Sequence, residues 1–303
     1  MVNRFYEQLN YCAKLTRYDL RGQKVKPPCG SAQPIETETA NGVNRLLALF
    51  RHIPFQTAYQ KGIGVRVLAL ASQKGGSGKT TLSGHLAVQA QLAGAGPVVL
   101  IDIDPQGSLA DWWNERDADL PAFAQTTVAR LASDLAVLRQ QGFKLAVIDT
   151  PPAITMAIQS VISVAELIVV PTRPSPHDLR AVGATVDLCE RAGKPLLFVV
   201  NGATPKAKIT SEAAVALSQH GTVAPITLHH RTDFAASMID GRTVMEVDPN
   251  GRSANEIRTL WTYISDRLEK NFRRTVFSSP AAATSAQLPQ ARPMGGFGRR
   301  VIG

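Results

Sequence analysis

The stretch VRVLALASQKGGSGKTTLSGHLAVQAQLAG, residues 65–94, decides the fold. Its first seven residues, 65–71, form an apolar run of the length expected for a buried strand. Glycines then crowd the chain at Gly75, Gly76 and Gly78, and Lys79, Thr80 and Thr81 open an amphipathic helix over 79–93. Strand, glycine-rich turn and helix together make a phosphate loop. Successive backbone N–H groups across Gly75, Gly76, Ser77, Gly78, Lys79, Thr80 and Thr81 can curl around phosphate oxygens, and the helix N-terminus adds positive potential. In such a loop Lys79 reaches the β- and γ-phosphates, and the Thr80 hydroxyl holds Mg2+. The spacing is a variant. The pattern G-x-x-x-x-G-K-[ST] requires glycine where this chain has Gln73, and the chain adds a second lysine, Lys74, at the loop entrance.

Outward from that stretch, apolar and amphipathic runs alternate. Strands are expected at 65–71, 97–103, 144–149, 166–171, 195–200 and 223–228, with a weaker one at 122–128. Helices are expected at 79–93, 107–116, 127–140, 176–192, 210–219 and 253–271. This order predicts an α/β fold, a mainly parallel sheet flanked by helices on both faces, of the P-loop NTPase type. Ligands of such sheets bind outside the carboxyl ends of the strands. Two acidic signals fall there. PVVLIDIDPQGS, residues 97–108, puts Asp102 and Asp104 at a strand end, on one side by alternation, with Ile103 on the other. Adjacent carboxylates repel unless a cation lies near them, and a Mg–nucleotide supplies one. KLAVIDTPP, residues 144–152, ends an apolar strand in Asp149, a Walker B pattern whose carboxylate meets Mg2+ through water. Farther on, LLFVVNG, residues 196–202, ends a strand at Asn201, and an Asn amide can pair with the N6 and N1 edge of adenine. The other reading of Asn201-Gly202 is a turn-forming dipeptide.

These motifs resemble the ParA/MinD superfamily of deviant-Walker P-loop ATPases. The resemblance is carried by QKGGSGKTT, IDIDPQGSLADWW, VIDTPP, VPTRPSPHDL and DFAASMIDGRTVMEVDPNGRSANEI, and it spans about residues 65–271. Within the superfamily the chain is most similar to ParA partition ATPases of the ParF-like type. The resemblance implies that Lys74 crosses a dimer interface to the partner's nucleotide, that Asp104 orients the attacking water, that Asp102 lies in the outer Mg2+ shell and that Asn201 recognises adenine. It also implies a homodimer formed with ATP, non-specific DNA binding and a ParB-like or ParG-like activator that stimulates hydrolysis. Guanine specificity announces itself through an N/T-K-x-D motif, which is absent, so ATP is favoured over GTP.

The 303 residues are 44% hydrophobic, ample for one large domain with appendages. The net charge of +9 is uneven: residues 1–64 carry +5, residues 65–271 carry −1 and residues 272–303 carry +5. Three regions are therefore expected, a basic N-terminal extension over 1–64, the ATPase domain over 65–271 and a disordered basic tail over 272–303. Because the resembled family starts its phosphate-loop strand near the N-terminus, the extension reads either as a partner-docking arm or as an artefact of the assigned start. Basic ends suit an anionic partner or serve solubility. Arg231, Arg242, Arg252 and Arg258 are the candidate DNA contacts, on the phosphate backbone and without base choice. Cys12, Cys29 and Cys189 suggest neither a disulfide framework nor a zinc site. No secretory signal or membrane-spanning run is evident, so a cytoplasmic, nucleoid-associated protein without a stable membrane anchor is expected.

Two rival classes make demands that the sequence meets poorly. A MinD-like membrane-associated positioning ATPase needs an amphipathic C-terminal helix, for which NFRRTVF, residues 271–277, is short and followed by Pro280. A metabolic P-loop enzyme of iron–sulfur type needs cysteines near the second switch, and that segment has none.

Overall fold

The computed structural model describes residues 64–152 and 156–278, with the backbone alone over 272–278. The extension before Gly64 and the tail after Ser278 lie outside the described residues.

Seven strands form one sheet, all paired in parallel, in the order β3-β2-β4-β1-β5-β6-β7. They are β1 (Arg66–Leu70), β2 (Val98–Asp102), β3 (Ala122–Gln125), β4 (Leu145–Asp149), β5 (Leu167–Thr172), β6 (Leu196–Val200) and β7 (Thr222–Val223). The intervening helices are α1 (Lys79–Leu92), α2 (Ser108–Asn114), α3 (Leu131–Gln140), α4 (Met156–Val164), α5 (Pro176–Ala181), α6 (Gly183–Arg191) and α7 (Lys208–Ser218). After β7 come α8 (Thr232–Met238), α9 (Val244–Val247) and the long α10 (Arg252–Ser278).

Between their ends the central strands are apolar, because both faces of the sheet are covered. Alternation sorts their side chains into two cores. Leu68, Leu70, Val98, Leu100, Leu145 and Val147 face the layer of α1, α2 and α10. Val67, Ala69, Val99, Ile101, Ala146 and Ile148 face the layer of α3, α4, α6 and α7. Continuing each alternation by one step brings Asp102 and Asp149 out on the α1 side. Those two residues are register partners across β2 and β4. The parallel sheet and its pattern thus deliver two carboxylates beside the first turn of α1. The helix α10 presents Ile257, Leu260, Trp261, Ile264 and Leu268 to this layer, a stripe at helical spacing. Each such fully buried side chain contributes about 1.5–3 kcal/mol.

Several expectations shift. The strand placed at 223–228 is reduced to β7, because Pro225 has no N–H for a ladder. The helix placed at 176–192 divides at Val182, next to Gly183, into α5 and α6. The last helix runs to Ser278 rather than 271, since no residue between Asn271 and Ser278 breaks it and Pro280 disfavours helix at the residue before it. Trp112 and Trp113, adjacent on α2, are both buried. Trp112 packs on Gly84 of α1, and Trp113 stacks on Phe123 with ring centroids 5.4 Å apart.

Candidate active site

The loop between β1 and α1 takes its shape from glycine. Gly76 has φ 74° and Gly78 φ 92°, a region that side chains with a Cβ rarely adopt. At Gly78 an added Cβ would also lie 2.4 Å from Asn201 Nδ2. The two lysines of the loop differ in setting. Lys79 is buried, its ammonium donates to the Lys74 carbonyl at 3.4 Å, and burial lowers its pKa against the raising effects of Asp149 and Asp104. The side chain of Lys74 is exposed.

Asp149 is the hub of the site. The Thr80 hydroxyl donates to its Oδ2 at 2.6 Å, Ser83 Oγ lies 3.3 Å from Oδ1, and the Thr150 N–H donates to Oδ1 at 3.1 Å. Burial nevertheless pushes its carboxyl up to about 7, and the neighbouring Asp102 adds to the rise. A buried carboxylate with so high a pKa is poised to gain from a cation placed beside it. Asp102 accepts the N–H groups of Asp104 at 2.9 Å and Ala110 at 3.2 Å, which fixes the turn into α2, and burial raises its pKa too. Asp104 stands at the mouth of this turn, accepting the Gln106 N–H at 3.0 Å. It does not cap α2, whose N-cap position is Gly107.

The chemistry of these donors fits a Mg–nucleotide. Among the described residues no group of three His, Cys, Asp or Glu side chains gathers to hold a metal alone. Thr80 and Asp149 offer a hydroxyl and a carboxylate, the sparse protein share that Mg2+ takes when phosphates and waters complete its shell. Ser77 Oγ is buried without a hydrogen-bond partner in the loop that would surround the phosphates.

A family model described as the CobQ/CobB/MinD/ParA nucleotide binding domain matches residues 68–244, more than half of the chain. The chain belongs to that family. In the ParA/MinD family it is similar to the maintenance of carboxysome distribution protein A of Halothiobacillus neapolitanus, with 34% identity over 202 residues, 62% of this chain and 90% of that protein. Its fold is shared by a Cyanothece McdA variant solved with ATP, at TM-score 0.57 and 17% identity over 69% of this chain and 98% of that one. It is shared also by the septum site-determining protein MinD of Pyrococcus horikoshii solved with Mg-ADP, at TM-score 0.54 and 16% identity over 66% of this chain and 96% of that one. The protein is thus a ParA/MinD-type P-loop protein with a seven-stranded parallel sheet.

In this ParA/MinD fold Gly75, Gly76, Ser77, Gly78, Lys79, Thr80 and Thr81 run together from the end of β1 into α1, as the spacing requires. Asn201 arrives from β6 and donates to the Ser77 carbonyl at 2.7 Å, so its amide buttresses the loop. The arginines of the C-terminal quarter scatter. Arg231 forms a two-pronged pair with Glu256, at 2.7 and 2.8 Å, in a half-buried cluster with His229. Arg242 pairs with Asp240 at the surface, Arg258 donates to the Pro249 carbonyl at 2.7 Å, and Arg252 is exposed at the start of α10.

Sequence reasoning passed over Ser83 and His85. Ser83 follows Thr80 by three residues, so helical spacing alone places it toward Asp149. His85 is fully buried. Its Nδ1 lies 2.7 Å from the Thr81 carbonyl, and its Nε2 lies 3.3 Å from the Val244 N–H. A carbonyl can only accept and an N–H only donate, so the ring is neutral with its proton on Nδ1. Burial lowers its pKa to about 4.

Proposed function

We propose that this ParA-type positioning ATPase binds ATP with Mg2+, dimerises on it, holds DNA without sequence preference in that state and releases it on hydrolysis. The observation that carries this reading is the contrast between its two loop lysines. Lys79 is buried against its own loop, whereas Lys74 extends from the same loop into solvent. The first serves the phosphates of its own site. The second is free to serve those of a second copy, which makes the nucleotide part of an interface.

Thr80 and Asp149 would hold the Mg2+, which supplies charge neutralisation on the phosphates. Lys79 adds a fixed positive charge where negative charge develops. Asp104, at the mouth of the site, orients the attacking water. Asp102 holds the turn that carries Asp104 and would stand in the outer shell of the metal. Asn201 recognises adenine from the end of β6. Arg242, Arg252 and Arg258 contact the phosphate backbone. A contact by Arg231 would require breaking its pair with Glu256. A ParB-like or ParG-like partner bound to a cargo stimulates hydrolysis, and the cargo is a plasmid, a chromosome or a protein cluster.

The test is binding of the full chain to unrelated duplex DNA with ATP, with ADP and for Lys79→Ala, across a salt series. The expected outcome is tight, salt-sensitive binding only with ATP and only in the wild type, indifferent to sequence. Absence of DNA binding in every nucleotide state would overturn the DNA assignment. Binding to vesicles of anionic lipid in its place would mark a MinD-like membrane protein.

A further inference from the structure

Arg173 is a charged side chain at the carboxyl edge of the sheet that the site described above leaves unused. It follows β5, the strand that lies between β1 with its phosphate loop and β6 with Asn201. Thr172 and Val200 are register partners, and the Asn201 N–H donates to the Thr172 carbonyl at 2.9 Å. Arg173 and Asn201 therefore leave the sheet side by side. The arginine leans toward β6. Its Cγ and Nε lie 3.8 and 3.7 Å from where a Cβ of Gly202 would stand. Gly202 has φ 64° and no side chain of its own, so the arginine takes up space beside Asn201 that the next residue leaves open.

The stem of this arginine is held and its head is free. The residue precedes Pro174, which favours extended backbone, and its carbonyl accepts the Ser175 N–H at 2.8 Å. Ser175 in turn caps α5 by accepting the Asp178 N–H at 3.2 Å. The guanidinium, by contrast, is exposed, and among the described residues it has no hydrogen-bond or ion-pair partner. Arg231, Arg242 and Arg258 all have one.

What the guanidinium can receive follows from its neighbour. Asn201 donates through Nδ2 to the Ser77 carbonyl at 2.7 Å, and only the nitrogen of an amide side chain can make that bond. Oδ1 alone is then left for a base. It can accept one N–H of the adenine N6 amine, but it cannot donate to a ring nitrogen. One hydrogen bond fixes a point on the base and not its plane. A guanidinium beside it can act in two ways. Edge on, its fork matches O6 and N7 of guanine. Guanine O6 would face Asn201 Oδ1 acceptor to acceptor, so the two residues would then select opposite bases. Face on, a planar delocalised cation stacks on a base and leaves its edge to Asn201. Only the second arrangement lets the two side chains act together.

We infer that Arg173 is a base-contacting residue: its guanidinium stacks on the adenine ring and holds the plane of the base whose N6 amine Asn201 reads. The inference rests on the proposed binding of ATP and goes beyond it in naming what grips the base.

Calorimetric titration of the full chain tests it, with Mg-ATP, Mg-ADP and Mg-bound inorganic triphosphate, for the wild type, Arg173→Ala, Arg173→Tyr and Arg173→Lys. Tyrosine supplies a plane without the charge, and lysine the charge without a plane. Arg173→Ala should weaken ATP and ADP alike by about tenfold, the scale of a stacked base, while inorganic triphosphate changes by less than about twofold. Arg173→Tyr should bring both nucleotides back to within about threefold of the wild type, and Arg173→Lys should recover less. Arg173 is exposed and unpartnered, so all three variants should unfold thermally as the wild type does when no nucleotide is present.

An Arg173→Ala variant that binds ATP and ADP as the wild type does overturns the inference and leaves the nucleotide site standing. An equal loss for triphosphate and ATP, rescued by lysine and not by tyrosine, overturns it in favour of a phosphate contact. A loss confined to ATP overturns it in favour of the γ-phosphate or a second copy of the chain. A wild type that binds neither nucleotide nor triphosphate sinks the nucleotide assignment itself, and this inference with it.

Discussion

The nucleotide end of the sheet and the C-terminal quarter are the two polar concentrations of this molecule, and they are built in opposite ways. Thr80, Ser83, Asp102 and Asp149 come from three separate elements and converge around one point, and the loop that meets them keeps an unpartnered Ser77 hydroxyl and an outward Lys74. The basic residues from 231 onward are close in sequence yet disperse in space, and most of those described already have partners. Arg231 is held by Glu256, Arg242 by Asp240, Arg258 by a carbonyl and Arg267 by Tyr263. Spacing that serves one chemistry survives folding as a site. A high density of one charge in the sequence does not, because the fold supplies intramolecular partners.

The largest effect that follows from this contrast belongs to Lys79. Lys79→Ala removes the buried ammonium at the phosphate loop, so ATP hydrolysis should fall by roughly 100- to 1,000-fold while the protein stays folded. The same truncation at Arg231 should do the reverse. Glu256 would lose both guanidinium contacts and keep only His229, costing about 1–3 kcal/mol of stability with hydrolysis little changed. Steady-state phosphate release and urea unfolding of the two variants check the pair. Loss of hydrolysis in Arg231→Ala with stability intact would break the contrast.

The next effect sharpens it through pH. His85 has a folded pKa of about 4 against an ordinary 6.5, because burial and the Val244 N–H both disfavour the charged ring. Between those values the unfolded chain binds a proton that the folded chain refuses, so stability is lost as pH falls from 6.5 to 4. The loss amounts to roughly 3 kcal/mol. Asp149 acts in the opposite sense in the nucleotide-free protein. Its raised pKa means that stability falls as pH rises toward about 7. Urea unfolding of wild type and His85→Asn at pH 7, 6 and 5 separates the two, since only the histidine's share disappears in the variant. Parallel slopes for the two proteins would mean that His85 takes up its proton without resistance.

The same contrast explains what was legible beforehand. The strand–loop–helix unit, Asp102 and Asp149 follow from local pattern, because an apolar run, a set of glycines and an acidic residue at a strand end each have one physical use in sequence order. The parallel sheet follows from the alternation of those runs. Two kinds of feature were not legible. In MAIQSVISVAELIVV, residues 156–170, the helical period of α4 rests on only three buried residues, Ile158, Val161 and Ile162, and Ala165 and Glu166 alone separate it from the fully buried run of β5, so the short helix is hidden beside the strand. The Arg116–Glu246 and His85–Val244 contacts join residues 130 and 159 positions apart, and nothing in either segment marks the other. A buried arginine looks in sequence like any surface arginine until the fold supplies its carboxylate.

The smallest effect is at Arg242, and it decides whether any of the scattered charge is functional. Its guanidinium and Asp240 are both outward, and an exposed pair of this kind adds little to stability. Arg242→Ala should therefore leave thermal unfolding unchanged. If the side chain meets a DNA phosphate, the variant should lower the slope of log affinity against log salt by about one. Asp240→Asn supplies the opposite sign, because it frees the guanidinium from its partner and removes a negative charge from the approach of DNA. Affinity should then rise without any new contact being made. A structural role for the pair predicts no such opposition. If both variants leave DNA affinity and its salt slope as in the wild type, Arg242 belongs with Arg231 among the charges already committed within the fold.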